Sequence, residues 1–306
     1  MKHIVSVSLG SAERDFSETL TLLGEDVRLE RRGVDGDVKR AAALIRDLDG
    51  GSEGFVDAIG LGGTDLYFYI GLRRYTMRQS ARLAAGAKRT PVVCGAGLKG
   101  SLEPKVVHDL DRRVGLQGKR VLLVSAVDRF PMAQALTEVG ADVRFGDLAF
   151  ALGLPYLVRS LTTVRLLAYA LLPVITLAPI SLLYPTGAAQ DEEKPTFGVQ
   201  LYHRAYAWAE IIAGDWHFIR RYLPPRLDGK IILTNTTTAK NVELLRERGA
   251  AWLVTTTPRL NGRSVSTNAL EAAFVAVSGG RELTPAALAR QVEVAALETS
   301  VVALNP

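Results

Sequence analysis

Lysine, aspartate and paired hydroxyls at the ends of apolar runs are the residues of this 306-residue chain best suited to chemistry. Ser6 and Ser8 lie two apart in a β-branched run, which puts both hydroxyls on one face of a strand. Lys99 follows the short run Pro91–Cys94, and Asp65 follows FVDAIGL and a glycine pair. A lysine in a partly buried cleft is readily tuned for acid/base work, and Asp65 could pair with it. Together these groups suit a hydroxylated carboxylic acid. The plainer alternative for Lys99 is a solvated loop lysine. Cys94 ends an apolar run and reads as core.

A second set follows the strands of the C-terminal half. Ser125, Asp128 and Arg129 come after GKRVLLVSA, Asp147 after DVRFG, and Asn235, Thr236 and Thr237 after KIILT. Thr256, Thr257 and Arg259 follow AWLVT. In open parallel sheets ligands bind beyond the carboxyl ends of the strands. The Thr-rich turn before Lys240 could cradle a phosphate, with Arg259 or Arg263 pairing with it. Thr, Asn and Asp are also ordinary caps and strand ends. A dinucleotide fingerprint needs a glycine-rich turn after Ser125, and the turn Ser125–Met132 contains no glycine. Arg144 stands where an arginine could contact a 2′-phosphate.

The elements that must position these groups read as α/β in two domains. An N-terminal α/β domain spans 1–117, and a Rossmann-like parallel-sheet domain spans 118–306. Strands are expected at Ile4–Leu9, Val27–Arg31, Phe55–Leu61, Arg120–Ser125, Asp142–Phe145, Lys230–Asn235 and Ala251–Thr256. A helix after Asp37 places Val38, Ala41, Ala42, Ile45 and Leu48 on one face. Ser101 is expected to cap a helix with Pro104 in its first turn. Within the second domain, 155–185 reads as a hydrophobic helical insertion. Its run Leu166–Tyr184 holds nineteen residues without a charge. Pro173 and Pro179 argue against one straight span, so two pieces are expected, Leu161–Leu172 and Val174–Leu183. A polar connector follows at 186–194.

Composition narrows the classes. One cysteine among 306 residues excludes a disulfide framework, and Met1-Lys2-His3 runs straight into IVSVSLG, so a cytoplasmic setting is expected. Net charge is +5, but the basic residues are scattered as pairs such as Arg31-Arg32 and Arg220-Arg221, which argues against nucleic acid. His3, His108, His203 and His217 are far apart, so no metal site is expected. A small-molecule ligand and a homo-oligomer are expected. Peripheral membrane contact through 161–185 stays as an alternative.

The domain order, the SVSLGS segment and the placement of Lys99 resemble the shikimate/quinate 5-dehydrogenase family. The segments VSAVDRF, GDLAFALG, LYPTG and VTTTPRLNGRS are similar to bacterial proteins labelled quinate 5-dehydrogenase. That resemblance implies an NAD(P)-dependent oxidoreductase of a quinate- or shikimate-like hydroxy acid. Ser6 and Ser8 would contact the carboxylate, Lys99 and Asp65 would be catalytic, and NAD or NADP would lie on the second domain. The missing glycines favour the alternative of a non-redox Rossmann-like protein binding a phosphorylated or nucleotide ligand.

Overall fold

The computed structural model describes residues 1–52, 54–183, 199–281 and 283–305. The first half of the chain forms β1 (Lys2–Ser8), β2 (Phe16–Leu22), β3 (Glu25–Gly33) and α1 (Val38–Leu48). The hairpin β4 (Asp49–Gly51) and β5 (Gly54–Phe55) follows, then β6 (Ala58–Gly62). Next come the hairpin β7 (Tyr67–Ile70) and β8 (Arg73–Thr76), α2 (Arg78–Ala84), β9 (Val92–Val93) and α3 (Ala96–Val114). The second half begins with β10 (Arg120–Leu123), α4 (Phe130–Glu138), β11 (Asp142–Phe145) and α5 (Asp147–Phe150). It continues through α6 (Leu161–Ile175), α7 (Ile180–Leu183), α8 (Val199–Trp208), β12 (Ile211–Ala213), α9 (Trp216–Arg221), β13 (Ile231–Thr234), α10 (Ala239–Glu247) and β14 (Trp252–Thr255). The hairpin β15 (Arg259–Leu260) and β16 (Arg263–Ser264) leads to α11 (Thr267–Val277), α12 (Pro285–Val294) and β17 (Ser300–Ala303).

Two mixed sheets, mostly parallel, result. The first runs β2-β3-β1-β6-β9, with β2 antiparallel on its edge. The second runs β11-β10-β12-β13-β14-β17, with β17 antiparallel. Both are built around a central strand buried on both faces. Val5 and Val7 of β1 and Val121 to Leu123 of β10 have no exposed surface, as helix-covered parallel strands require. Strand order reverses direction at β1 and at β10, so each sheet opens a crevice beyond the carboxyl end of that strand.

Local chemistry explains most of the elements. Asp37 accepts from the backbone N–H of Lys39 and Arg40 at 2.8 and 3.0 Å, and α1 buries Ala41, Ile45 and Leu48 at helical spacing. The helix expected from a Ser101 cap starts six residues earlier, at Ala96. Its cap is Gly95, at φ +90°, where a Cβ would sit 2.8 Å from the backbone of Asn268. Ser101 instead donates its hydroxyl to the Leu98 carbonyl, and Pro104 lies within α3.

As far as β14 the chain builds the first sheet from residues before 117 and then the second from residues after 118. The chain then crosses back, and α11 and α12 join Ile4, Leu29 and Ala58 in the core of the first lobe before β17 returns to β14. Gly60 makes this close approach possible, since a Cβ there would lie 2.7 Å from the Asn268 carbonyl oxygen. In the second lobe, α6 runs through Pro173 to Ile175 rather than stopping at Leu172. Its row Val164, Ala168 and Leu172 is buried, while Leu166 and Val174 are exposed. The polar connector expected at 186–194, with Tyr184 and Pro185, lies outside the described residues. Among the described residues, no helix is long and apolar enough to cross a membrane.

Candidate functional site

The carboxyl ends of the two sheets face one cleft. From the first lobe it is lined by Ser6 and Ser8 at the end of β1, Gly62 to Asp65 after β6, and Lys99 in the first turn of α3. From the second it is lined by Asp128 and Arg129 after β10, Asp215 after β12, and Asn235 and Thr236 after β13. The returning α11 adds Ser266, Thr267 and Asn268.

A chain of ion pairs joins the lobes at the base of this cleft. Lys99 Nζ lies 2.9 Å from Asp65 and also contacts the Asp128 carboxylate and its backbone carbonyl. Arg129 bonds Glu103 at 2.7 Å and Asp215 at 3.3 Å, and Asn235 donates to Asp215 at 3.0 Å. Lys99 and Glu103 are four apart on α3, so one helix face carries both charges. Only 2% of the Arg129 side chain and 1% of the Glu103 side chain are exposed. Burial opposes the charge on Lys99, but Asp128 and Asp65 outweigh it and hold its pKa above the ordinary lysine value. Burial likewise pushes Glu103 up to about 7, even though Arg129 and Lys99 pull it down. Lys99 is therefore a buried, permanently charged tie between lobes, not a solvated loop lysine.

The hydroxyls at the end of β1 are also organised. Ser6 accepts from Asn268 Nδ2 at 2.7 Å. Ser8 accepts from the Gly10 N–H at 3.1 Å and from Arg31 Nη2 at 3.0 Å. Two acceptor positions of Ser8 are thus filled, and its own O–H is left to donate. Arg31 is further held by Asp15 at 2.6 Å, and burial with the neighbouring Arg14 lowers its pKa to about 10. Cys94 borders the cleft, but burial pushes its thiol up to about 12, so it stays protonated.

Of the residues expected from the sequence, Ser6, Ser8, Asp65, Lys99, Asp128, Arg129, Asn235 and Thr236 converge on the cleft. Thr237, Thr256, Thr257 and Arg259 do not line it. Arg259 Nη1 donates to Thr237 at 3.1 Å, Thr237 meets Ser264 at 3.0 Å, and Thr257 donates to the Val265 carbonyl. Thr256 is buried, its N–H on the Thr234 carbonyl. This group braces the ends of β13 and β14 against the β15–β16 hairpin. Arg144 stacks on Trp208 at 3.8 Å. Arg31 and Asn268 were missed. Asp215 had a legible signal, the Gly214-Asp215 strand end. Arg31 and Asn268 reach the cleft only through strand register and the return of α11.

The turn after β10 does not fit a dinucleotide. Its backbone N–H groups at Ala126 and Val127 donate to Asp147 at 3.1 and 2.8 Å, so a carboxylate of the protein occupies the donors a phosphate would need. Ser125 accepts from the Asp215 N–H, and Arg129 is buried in its ion pairs.

Residues 97–304 match the sequence pattern of the family described as Domain of unknown function (DUF8754). The chain belongs to the DUF8754 family. Residues 3–94 match a second pattern, Domain of unknown function (DUF8753), so the two patterns meet where α3 begins. No curated protein matches the chain. Similar solved structures include GanP, a glucose-galactose binding protein from Geobacillus stearothermophilus. It is 10% identical, with 99% of this chain and 97% of that chain covered and a TM-score of 0.42. An ABC transporter solute binding protein from Burkholderia multivorans is 11% identical, with 98% of each chain covered and a TM-score of 0.41. A sugar ABC transport system substrate-binding protein from Bordetella parapertussis is 13% identical, covering 83% of this chain and 75% of that one, with a TM-score of 0.36.

These matches correct the resemblance to shikimate/quinate 5-dehydrogenases. The matching sequence families are DUF8754 and DUF8753, not the shikimate/quinate 5-dehydrogenases. The expected NAD(P)-dependent oxidoreductase of a quinate- or shikimate-like acid falls with it. The physical reason is local: the hydroxyls and the lysine are present, but the turn after β10 is closed by Asp147.

Proposed function

We propose that DUF8754 proteins of this kind bind a small hydroxylated molecule with an anionic group, without redox chemistry, between the two lobes. The observation that carries this reading is the meeting of both sheets' carboxyl ends at one polar cleft. The first lobe offers donors: the Ser8 hydroxyl, the Arg31 guanidinium and the N-terminal turn of α11. The second offers Asp215 and Asn235, which suit hydroxyl groups. An acceptor-rich anionic end toward the first lobe and hydroxyls toward the second would match both sides.

The test is the melting temperature of the full chain with hydroxylated acids and sugar phosphates at millimolar concentration. A ligand at a hundredfold its Kd adds about 2.7 kcal/mol, which raises the melting temperature by about 5 °C or more. Ser8→Ala and Asn235→Leu are expected to remove most of that rise. A rise that survives both variants, or one produced by NADH or NADPH alone, overturns the reading.

A further inference from the structure

Beside the polar cleft lies a second cavity of opposite character. It has a volume of about 120 Å³. One wall is the face of α6 carrying Val164, Leu167, Leu171 and Ile175, and the others include Phe68 and Leu148. Its polar lining is Ser125, Asp128 and Asp147. Ser125 is already bonded to the Asp215 N–H and Asp147 to the Ala126 and Val127 N–H groups. The lining therefore has little left to hold a second charged molecule. Asp128 and Phe218 line both this cavity and the polar cleft, so the two adjoin. An apolar cavity of about 150 Å³ stays dry and accepts a benzene ring; this one, somewhat smaller and open on one side, has room for a short chain or the edge of a ring.

We infer that the cavity beneath α6 receives an uncharged hydrocarbon group of the molecule whose polar end occupies the cleft. The inference rests on the cleft reading for the polar end only. The ligand class is then amphipathic: an anionic, hydroxylated head carrying a ring or a short alkyl chain that passes Phe218. Each buried methylene contributes about 0.8 kcal/mol, or about fourfold in affinity.

Calorimetric titration of the full chain with butanol, hexanol and octanol probes the cavity alone, and octyl phosphate probes cavity and cleft together. Saturable binding is expected to tighten about fourfold per methylene from butanol to hexanol. Octyl phosphate is expected to bind at least tenfold more tightly than octanol. Leu171→Trp, at a half-exposed wall position, fills the cavity and weakens octanol and octyl phosphate at least tenfold. Ala168→Phe, from the buried row, is the second filling variant, and the melting temperature of each reports folding. Absence of saturable octanol binding overturns the inference, and it is the result expected if a second copy of the chain already fills the cavity. Octanol binding unchanged in a folded filling variant also overturns it, as does octyl phosphate binding no tighter than octanol. Failure of the cleft reading shows separately, as octanol binding without any response to hydroxylated acids or sugar phosphates.

Discussion

The polar cleft and the apolar cavity share Asp128 and Phe218 and are built by opposite means. At the cleft, charges that would be costly to bury are stacked in series, Asp65 to Lys99 to Asp128 and Glu103 to Arg129 to Asp215. In the cavity, side chains of α6 are left with incomplete packing, and Leu171 remains 37% exposed. The first arrangement fixes the lobes relative to each other. The second leaves space that the described residues do not fill. Order at the cleft and vacancy under α6 are what a binding protein needs for a polar head and an apolar tail, respectively.

The largest expected effect comes from breaking the ordered side. Arg129→Met leaves the Glu103 carboxylate buried without its partner, which costs about 3–5 kcal/mol in urea unfolding. Adding Glu103→Leu to the same chain is expected to recover most of that loss. A single variant as stable as wild type would mean that the ion pairs do not tie the lobes. Next is Gly60→Ala, whose Cβ would meet the Asn268 carbonyl at 2.7 Å. It is expected to push α11 off β6, lower stability by about 1–3 kcal/mol and weaken ligand binding at Ser6 and Ser8.

Asp147 lines the apolar cavity, and it sharpens the contrast through pH. Burial raises its pKa to about 6, against the pull of the Val127 and Ala126 N–H groups. The unfolded value is near 3.9, so between the two values the folded chain binds the proton more tightly. The contribution of this group is therefore most favourable below about pH 4 and is lost as pH rises through about 6. For this half-buried carboxyl the change is on the order of 1–2 kcal/mol. The difference between the wild-type and Asp147→Asn stability curves across that window isolates it, and parallel curves would remove the assignment. The smallest effect belongs to the exposed pair Arg226–Asp228, 2.7 Å apart with side chains 82% and 58% exposed. Arg226→Ala is expected to shift stability by less than about 0.5 kcal/mol, which sets the surface baseline for the buried chain.

Much of this architecture was legible because it is local. Period two placed Ser6 and Ser8 together, Asp37 and its 3.6-residue pattern marked α1, and the unit β10-α4-β11 stood out by length. Lys99 with Asp65 was legible as a pair, but its setting was not, since α3 begins at Gly95. That left-handed cap depends on how Asn268 and Thr267 approach it, more than 170 residues later. Arg31 reached the cleft because β1 pairs with β3 in a register that sets Ser6 opposite it. Neither fact has a local signature. The family resemblance misled for a related reason. Motif residues can be present while the glycine-rich turn that would bind a dinucleotide is replaced by a loop closed on Asp147.

The central claim is that both lobes grip one ligand across the cleft. It is tested most directly by a crystal structure of the full chain soaked with the sugar phosphate or hydroxylated acid that most raises its melting temperature. The account predicts density between Ser8 and Asp215, within hydrogen-bond distance of the strand ends of both sheets. Density confined to the outer surface of one lobe, or a cleft empty under saturating ligand, would contradict it.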